Sequence, residues 1–247
     1  MSRISIVTDS TSDIPENLTK GLDITVVPLK IYFGEEEFRE GIDITPNEFY
    51  AKLKTFNELP RTSQPSPADF AKCYKKLAEK GSDHIISIHL SSRLSGTFQS
   101  AVLAKNMVDI TVDVVDSKGA SIMIGLMVLE AAKAAKQGRD REFILSQLQE
   151  MIKNIKAYFV VDTLDYLQKG GRIGKASAFL GNLFNLKPLL TIQDGMVAPV
   201  EKIRGKTKVV DKLIERVLRD SKGRPLKGSI VHANFENFVK ANYEEIK

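Results

Sequence analysis

The stretch HIISIHLSSRLSGTFQSAVLA, residues 84–104, contains the pattern that decides the fold. Its first part, from His84 to Leu90, is rich in isoleucine and predicts a strand. A polar loop from Ser91 to Gly96 follows, and the small apolar residues beyond it predict a helix through Ala104. A strand that leads through a loop into a helix is the repeating unit of α/β proteins with a largely parallel sheet.

The same alternation of strands and helices continues in both directions. Two helix starts, at Thr45–Glu48 and at Ser66–Asp69, combine an N-cap residue, a proline at the first helical position and an acidic residue that closes a capping box. An apolar helix is predicted from Met123 to Ala135. Further strands are predicted at Ile4–Val7, Ile24–Val27, Ile110–Val115 and Tyr158–Val161.

The last third of the chain departs from this alternation. Two apolar runs, Leu189–Ile192 and Met196–Val200, flank Asp194-Gly195 and predict a hairpin. A helix from Lys208 to Leu218 and a strand from Ser229 to Ala233 follow. We therefore predict an α/β protein of two domains, a three-layer N-terminal domain with a parallel sheet over residues 1–156 and a C-terminal domain with a mixed sheet over residues 157–247.

Composition narrows the classes of function. The chain has 247 residues, 43% of them hydrophobic, a net charge of +5 and one cysteine, Cys73. It shows no apolar run of membrane-spanning length and does not begin with a signal peptide, so we expect a cytoplasmic protein without an integral membrane segment. The basic residues form no dense patch with interleaved aromatic residues, which disfavours nucleic-acid binding.

Two polar loops are candidate binding sites, one from Arg61 to Pro67 and one from Ser91 to Thr97. Both place hydroxyl groups and unpaired backbone N–H groups at a predicted helix start, where the positive end of the helix dipole suits a carboxylate or a phosphate. The alternative for either loop alone is ordinary helix capping, which uses the same residue types. The second loop has more hydroxyl groups than one cap needs.

Other chemistries have weaker signals. The turn Lys169–Lys175 combines glycines with basic residues and could cradle phosphate, although it misses the P-loop and dinucleotide patterns and could equally be a flexible turn. The histidines His84, His89 and His232 lack the spacing of metal ligands, so no metal site is expected. The segment Leu94-Ser95-Gly96 lacks the first glycine of the Gly-x-Ser-x-Gly motif, which disfavours a serine hydrolase with Ser95 as its nucleophile.

Several short motifs follow one another along nearly the whole chain. They are VTDS at residues 7–10 with Asp13, TSQP at 62–65, SRLSGTFQ at 92–99, Asp116-Ser117, KGGRI at 169–173, and Lys187-Pro188 before Asp194-Gly195. None is specific alone, but in this order and spacing the chain resembles the bacterial DegV family.

The resemblance implies a lipid-binding protein with no catalytic residues, no metal and no cofactor, whose ligand is one long-chain fatty acid in a tunnel between two α/β domains. Thr62 and Ser95 match the hydroxyls that hold the fatty acid carboxylate, and the Gly96 N–H is a natural third donor. The resemblance also implies a partner fatty acid kinase, which forms acyl phosphate from the presented carboxylate. Arg172 and, less closely, His232 match partner-facing positions.

Two further expectations accompany this interpretation. Members of the family continue to another strand with a His-Thr-Gly-Pro-Gly-like turn, so the resemblance implies that the C-terminal domain is truncated here. The alternative function is an enzyme that acts on a small phosphorylated or acyl substrate through Ser95 and Arg172. A lipid that co-purifies with the protein would favour the binding protein over the enzyme.

Overall fold

The computed structural model describes residues 3–181, 186–205 and 208–246. The chain divides into two compact units, Met1–Ile155 and Lys156–Lys247. Within the described ranges the chain is an α/β protein with ten strands and nine α-helices. The strands of the first unit are β1 Ile4–Asp9, β2 Ile24–Val27, β3 Lys30–Phe33, β4 Glu36–Arg39, β5 Arg61–Ser63, β6 His84–His89 and β7 Thr111–Asp116. Its helices are α1 Glu16–Thr19, α2 Pro46–Thr55, α3 Pro67–Glu79, α4 Thr97–Lys105, α5 Ile122–Lys136 and α6 Arg141–Asn154.

The predicted parallel sheet is confirmed and forms the centre of the first unit. Its strand order is β2-β1-β6-β7, and all three strand pairs are parallel. Every residue of β1 is buried, with Ile6 in the core on one face and Val7 in the core on the other. Helices α5 and α6 contribute to the first core, and α3 and α4 to the second. Burial of each such aliphatic side chain stabilises the fold by about 1.5–3 kcal/mol.

A second, antiparallel sheet in this unit has the order β4-β3-β5. A turn at Gly34 and Glu35 joins β3 to β4. The ring of Phe33 on β3 lies 5.2–6.2 Å from three other phenylalanine rings, which gives this small sheet its own aromatic core. Strand β5 lies within the polar segment Arg61–Pro67, and it places Thr62 opposite Ile31 of β3. The first candidate loop is therefore partly a strand.

The two predicted capping boxes are confirmed at the starts of α2 and α3. At α3, Ser66 Oγ accepts a hydrogen bond from the Asp69 N–H at 3.2 Å, and Asp69 Oδ2 accepts one from the Ser66 N–H at 2.9 Å. The first turn of α3 is thereby fixed directly after the polar segment.

Cys73 lies half-buried on α3, and burial raises the pKa of its thiol to about 11.

The second unit contains the predicted hairpin. Its strands are β8 Tyr158–Val160, β9 Leu186–Gln193 and β10 Met196–Arg204, and its helices are α7 Asp165–Lys169, α8 Lys208–Ser221 and α9 Glu236–Ile246. Asp194 and Gly195 have φ values of 52° and 78°, as the tight turn between β9 and β10 requires. The sequence predicts a mixed sheet here, but both strand pairs that the structure describes are antiparallel.

The predicted strand from Ser229 to Ala233 is wrong. Residues 224–232 have no regular secondary structure, and the side chains of Ile230 and Val231 are 43% and 52% exposed. A strand needs a neighbour for its backbone hydrogen bonds, and no strand in the described part of the chain pairs with this segment. Without it no parallel pair is present among the described strands of the second unit.

No helix in the described ranges is both long enough and apolar enough to cross a lipid bilayer.

Candidate functional site

Two polar segments follow neighbouring strands of the first unit's parallel sheet. The second loop, Ser91–Gly96, follows β6, and the acidic turn after Asp9 follows β1. Because β1, β6 and β7 are parallel, the segments after these strands leave the sheet at the same edge. Ligands of open α/β sheets bind at this carboxyl edge.

The second loop is fixed by its own hydrogen bonds. The N–H groups of Leu94 and Ser95 donate to the Ser91 carbonyl oxygen at 2.9 and 3.2 Å. The Ser91 N–H donates to the Gly119 carbonyl oxygen at 2.9 Å, and Ser92 Oγ donates to Asp116 Oδ2 at 2.6 Å. The loop is thus tied to the segment after β7, and its conformation does not depend on a ligand.

Ser95 combines a capping role with a free capacity to donate. Its Oγ accepts a hydrogen bond from the Thr97 N–H at 3.3 Å and lies 2.9 Å from Thr97 Oγ1. A hydroxyl has one proton and two lone pairs, so Ser95 can keep its bond from the Thr97 N–H and still donate to an anion. The Ser95 hydroxyl is available to an anion when Thr97 Oγ1 is the donor in the contact between the two hydroxyl groups.

Gly96 is the N-cap residue of α4 and has no side chain to cap the helix. The first N–H groups of an α-helix have no partner within the helix, and they carry the positive end of its dipole. Residue 96 itself therefore supplies no side-chain acceptor for these N–H groups. Gly96 is half-buried, as Ser95 is.

The two candidate loops meet through Gln64. A Cβ atom built on Gly96 would lie 2.9 Å from Gln64 Nε2 and 3.3 Å from Gln64 Cδ, so the amide of Gln64 lies directly against the Gly96 backbone. Gln64 follows β5 and is two residues from Thr62, whose side chain is exposed. The structure therefore brings the segment that contains Thr62 to the start of α4. In the sequence Gln64 belongs to the TSQP motif at residues 62–65, and no local pattern there assigns it a role.

The acidic turn after β1 is a structural feature. Burial raises the pKa of both Asp13 and Glu40, and the neighbouring carboxyl group of Asp9 adds to each shift, while a hydrogen bond from a serine opposes it. Ser121 Oγ donates to Asp13 Oδ2 at 2.6 Å, and Ser10 Oγ donates to Glu40 Oε2 at 2.5 Å. Three carboxyl groups in one place disfavour an anion there.

A buried chain of hydrogen bonds lies beneath this edge. Tyr74 Oη donates to Ser87 Oγ at 2.9 Å, Ser87 Oγ lies 2.7 Å from His89 Nε2, and His89 Nδ1 lies 2.9 Å from Asp9 Oδ2. Asp9, Ser87 and His89 have the connectivity of a hydrolase triad, but all three and Tyr74 have 0% exposed surface. No substrate can reach Ser87, so the arrangement serves the fold.

The partner-facing candidates lie on separate segments of the second unit. Arg172 is exposed in the glycine turn, where its guanidinium donates to the Gly170 carbonyl oxygen. His232 is exposed, and its Nδ1 accepts a hydrogen bond from the Phe235 N–H at 3.3 Å.

Gly174 has a φ of 53° and a Cβ there would lie 2.5 Å from the Val197 carbonyl oxygen, so backbone geometry requires this glycine.

In the described ranges no three His, Cys, Asp or Glu side chains are grouped so that they could hold a metal ion.

A comparison with known families decides which proteins this chain is related to. The family model described as "Uncharacterised protein, DegV family" matches residues 3–247. The chain belongs to the DegV family. Protein DegV of Bacillus subtilis is 42% identical over 246 residues, which are 98% of this chain and 87% of that protein.

Solved structures of DegV-family proteins have the same fold. The crystal structure described as DegV, a fatty acid binding protein from Bacillus subtilis, matches with a TM-score of 0.91 and 41% identity, over 100% of this chain and 88% of that one. A DegV-family protein from Thermus thermophilus, described by its fatty acid binding, matches with a TM-score of 0.84 and 41% identity, over 90% of this chain and 79% of that one. Both of these proteins, each 41% identical to this chain, are described as binding fatty acids.

Proposed function

We propose that this chain binds one long-chain fatty acid and that Thr62, Ser95 and the Gly96 N–H hold its carboxylate. The observation that carries the proposal is the contact between Gln64 and Gly96, which unites two hydroxyl-bearing loops at the start of one helix. The description of two DegV relatives as fatty acid binding proteins supports the same ligand.

The physical chemistry of the ligand fits these residues. Removal of an acyl chain from water gains about 0.8 kcal/mol per CH₂ group. A carboxylate that is carried along costs several kcal/mol unless it is hydrogen-bonded. Two hydroxyl groups and a backbone N–H at a helix start meet that requirement without a buried cation.

Extraction of the purified protein tests the proposal. Protein expressed in bacteria is expected to carry about one fatty acid per chain, since a long apolar cavity retains lipid when lipid is present. The measurement is mass spectrometry of an organic-solvent extract, with a heat-unfolded and refolded sample as the control for lipid that adheres to the surface. Folded protein with no lipid above background, and with no affinity for added stearate, would reject the proposal.

The finer proposal is that the protein presents the bound carboxylate to a fatty acid kinase, without catalytic turnover of its own. The second unit suits an acidic partner, because Lys156–Lys247 has 17 basic and 10 acidic residues, whereas the first unit has 19 basic and 21 acidic residues. Arg172 and His232 belong to this basic unit. An exposed arginine can pair with an acidic partner or orient ATP phosphates through two parallel hydrogen bonds.

Substitution of Arg172 separates presentation from binding. Arg172→Ala is expected to leave stearate affinity unchanged and to lower acyl phosphate formation with a cognate kinase by about tenfold, which corresponds to about 1.4 kcal/mol. Arg219→Ala, another exposed arginine of the second unit, serves as the matched control. If ligand affinity falls in proportion to activity, Arg172 holds the substrate itself, as the alternative enzyme interpretation predicts.

A further inference from the structure

Gly96 is a glycine that its own backbone conformation does not require. Its φ and ψ of −74° and 5° are open to any amino acid. Gly171 is the opposite case, because its φ of 73° favours glycine although nothing lies within 4 Å of a Cβ built there. The reason for a glycine at position 96 is therefore space.

The space is taken by the amide of Gln64. The nearest atom to a Cβ on Gly96 is Gln64 Nε2 at 2.9 Å, and Gln64 Oε1 is farther away at 3.8 Å. The amide nitrogen thus lies closest to the backbone that we assign to the carboxylate. Within the described residues no hydrogen-bond partner is found for this amide, which leaves its two N–H groups available.

The backbones on both sides of this contact are held firmly. Pro65 is buried directly after Gln64, and Phe70 in the first turns of α3 is fully buried. On the other side Thr97 is fully buried at the start of α4. The Gln64 side chain is consequently the adjustable element between two fixed segments.

We propose that Gln64 is a further ligand-binding residue, whose Nε2 donates a hydrogen bond to the fatty acid carboxylate. The inference rests on the proposed function. Gln64 follows β5 directly and is two residues from Thr62, which lies within that strand. A carboxylate offers about four lone-pair positions, of which Thr62, Ser95 and the Gly96 N–H fill three. Gln64 supplies a fourth donor and adds no charge.

A change of Gln64 to glutamate tests this contact with almost no change of shape. At pH 7.5 Gln64→Glu places a second carboxylate against the ligand, and stearate affinity, measured by displacement of fluorescent cis-parinarate, is expected to fall by about 100-fold. The neighbouring ligand raises the pKa of the new glutamate, so lowering the pH to 5 protonates it and restores a donor. The affinity deficit relative to the parent protein is expected to shrink to about threefold at pH 5.

Two further variants separate direct contact from other effects. Gln64→Met keeps the length of the side chain but removes the donor, and it is expected to lower affinity by about tenfold at both pH values. Gln137→Glu adds the same charge at the C-cap of α5, about 22 Å along that helix from the carboxyl edge, and is expected to bind like the parent. Thermal unfolding of each variant reports whether the fold is intact.

The outcomes distinguish this inference from the proposed function. A parent protein that neither carries nor binds fatty acid rejects both. A parent that binds stearate while Gln64→Glu binds within twofold of it at pH 7.5 rejects only the role of Gln64. A loss in Gln64→Glu that persists at pH 5, together with parental affinity in Gln64→Met, also rejects the contact, because it shows only a long-range charge effect.

Discussion

The first unit has two polar regions, and they differ in how far their hydrogen-bonding groups are enclosed by the protein. In the chain from Asp9 through His89 and Ser87 to Tyr74, every polar group has a partner and none is exposed. Where Gln64 meets Gly96, between Thr62 and Ser95, the hydroxyl and amide groups are half-buried or exposed, so water or a ligand can reach them.

This difference distinguishes polar groups that stabilise the fold from polar groups that can bind a ligand. Buried polar groups must be fully bonded, because each unpaired one costs free energy of folding. Groups that keep unused donors are found where the protein surface is open to a ligand. A substitution in the buried chain is therefore expected to reduce stability, and one in the open loops to reduce affinity.

The largest expected effect is on the buried chain. Asp9 accepts hydrogen bonds from His89 Nδ1, from the Leu90 N–H at 3.2 Å and from Thr11. Asp9→Ala leaves these donors unpaired in the core and is expected to lower the free energy of unfolding by about 3–5 kcal/mol. Chemical denaturation measures the loss. The control, Asp43→Ala, removes an exposed carboxylate, and equal stability losses in the two variants would contradict the distinction.

The next effect in size is on ligand affinity. Thr62→Val and Ser95→Ala each remove one hydrogen bond to a charged group and are expected to weaken stearate binding by about 1.5–3 kcal/mol. Thr62→Val is expected to leave the melting temperature unchanged, whereas Ser95→Ala also removes the bond from the Thr97 N–H and is expected to lower it slightly. Thr55→Val, which alters a threonine whose Oγ1 donates to the Lys52 carbonyl oxygen, is the matched control. Parental affinity in both loop variants would mean that the carboxylate is held elsewhere.

A pair of glycine substitutions sharpens the comparison further. Gly96→Ala is expected to displace the flexible Gln64 side chain, to lower stearate affinity by about threefold to tenfold and to leave stability nearly unchanged. Gly125→Ala is expected to do the reverse, since its Cβ would lie 2.6 Å from the Ser12 backbone oxygen. Isothermal titration and thermal unfolding of both proteins measure the two quantities. A marked stability loss in Gly96→Ala would show that Gln64 cannot move.

The smallest expected effect concerns pH. Burial raises the pKa of Asp13 above its ordinary value of 3.8, so the folded protein binds this proton more tightly than the unfolded chain does. Stability from this group is therefore gained as the pH falls through the raised pKa, and it is lost as the pH rises. Asp13→Asn is expected to melt at a higher temperature than the parent at pH 7, and this advantage is expected to shrink toward pH 4. An advantage that does not vary with pH would instead indicate a backbone effect at this residue, whose φ is 48°.

Local patterns in the sequence predicted much of the fold. The capping boxes at Thr45 and Ser66, the buried helix α5 and the turn at Asp194-Gly195 are confirmed, because each depends on residues within a few positions of one another. The strand predicted at Ser229–Ala233 failed for the opposite reason. Apolar residues make a strand only where another strand is placed to pair with them.

The sequence predicted the two candidate loops, but it did not predict that they contact each other. Hydroxyl groups before helix starts mark both loops in the sequence, and the family resemblance selected Thr62, Ser95 and Gly96. The contact between Gln64 and Gly96 joins residues 32 positions apart, and no local pattern reveals it. The one local sign was a glycine at a helix start, where a serine or an aspartate would cap better.

The half-buried Cys73 has a practical consequence for chemical labelling. A thiol whose pKa is about 11 is almost entirely protonated at neutral pH, and the thiolate is the form that reacts with maleimides and oxidants. Cys73 is the only cysteine of the sequence. A new cysteine at an exposed position therefore reacts far faster than Cys73, and one fluorophore can be attached to it without removal of the native residue.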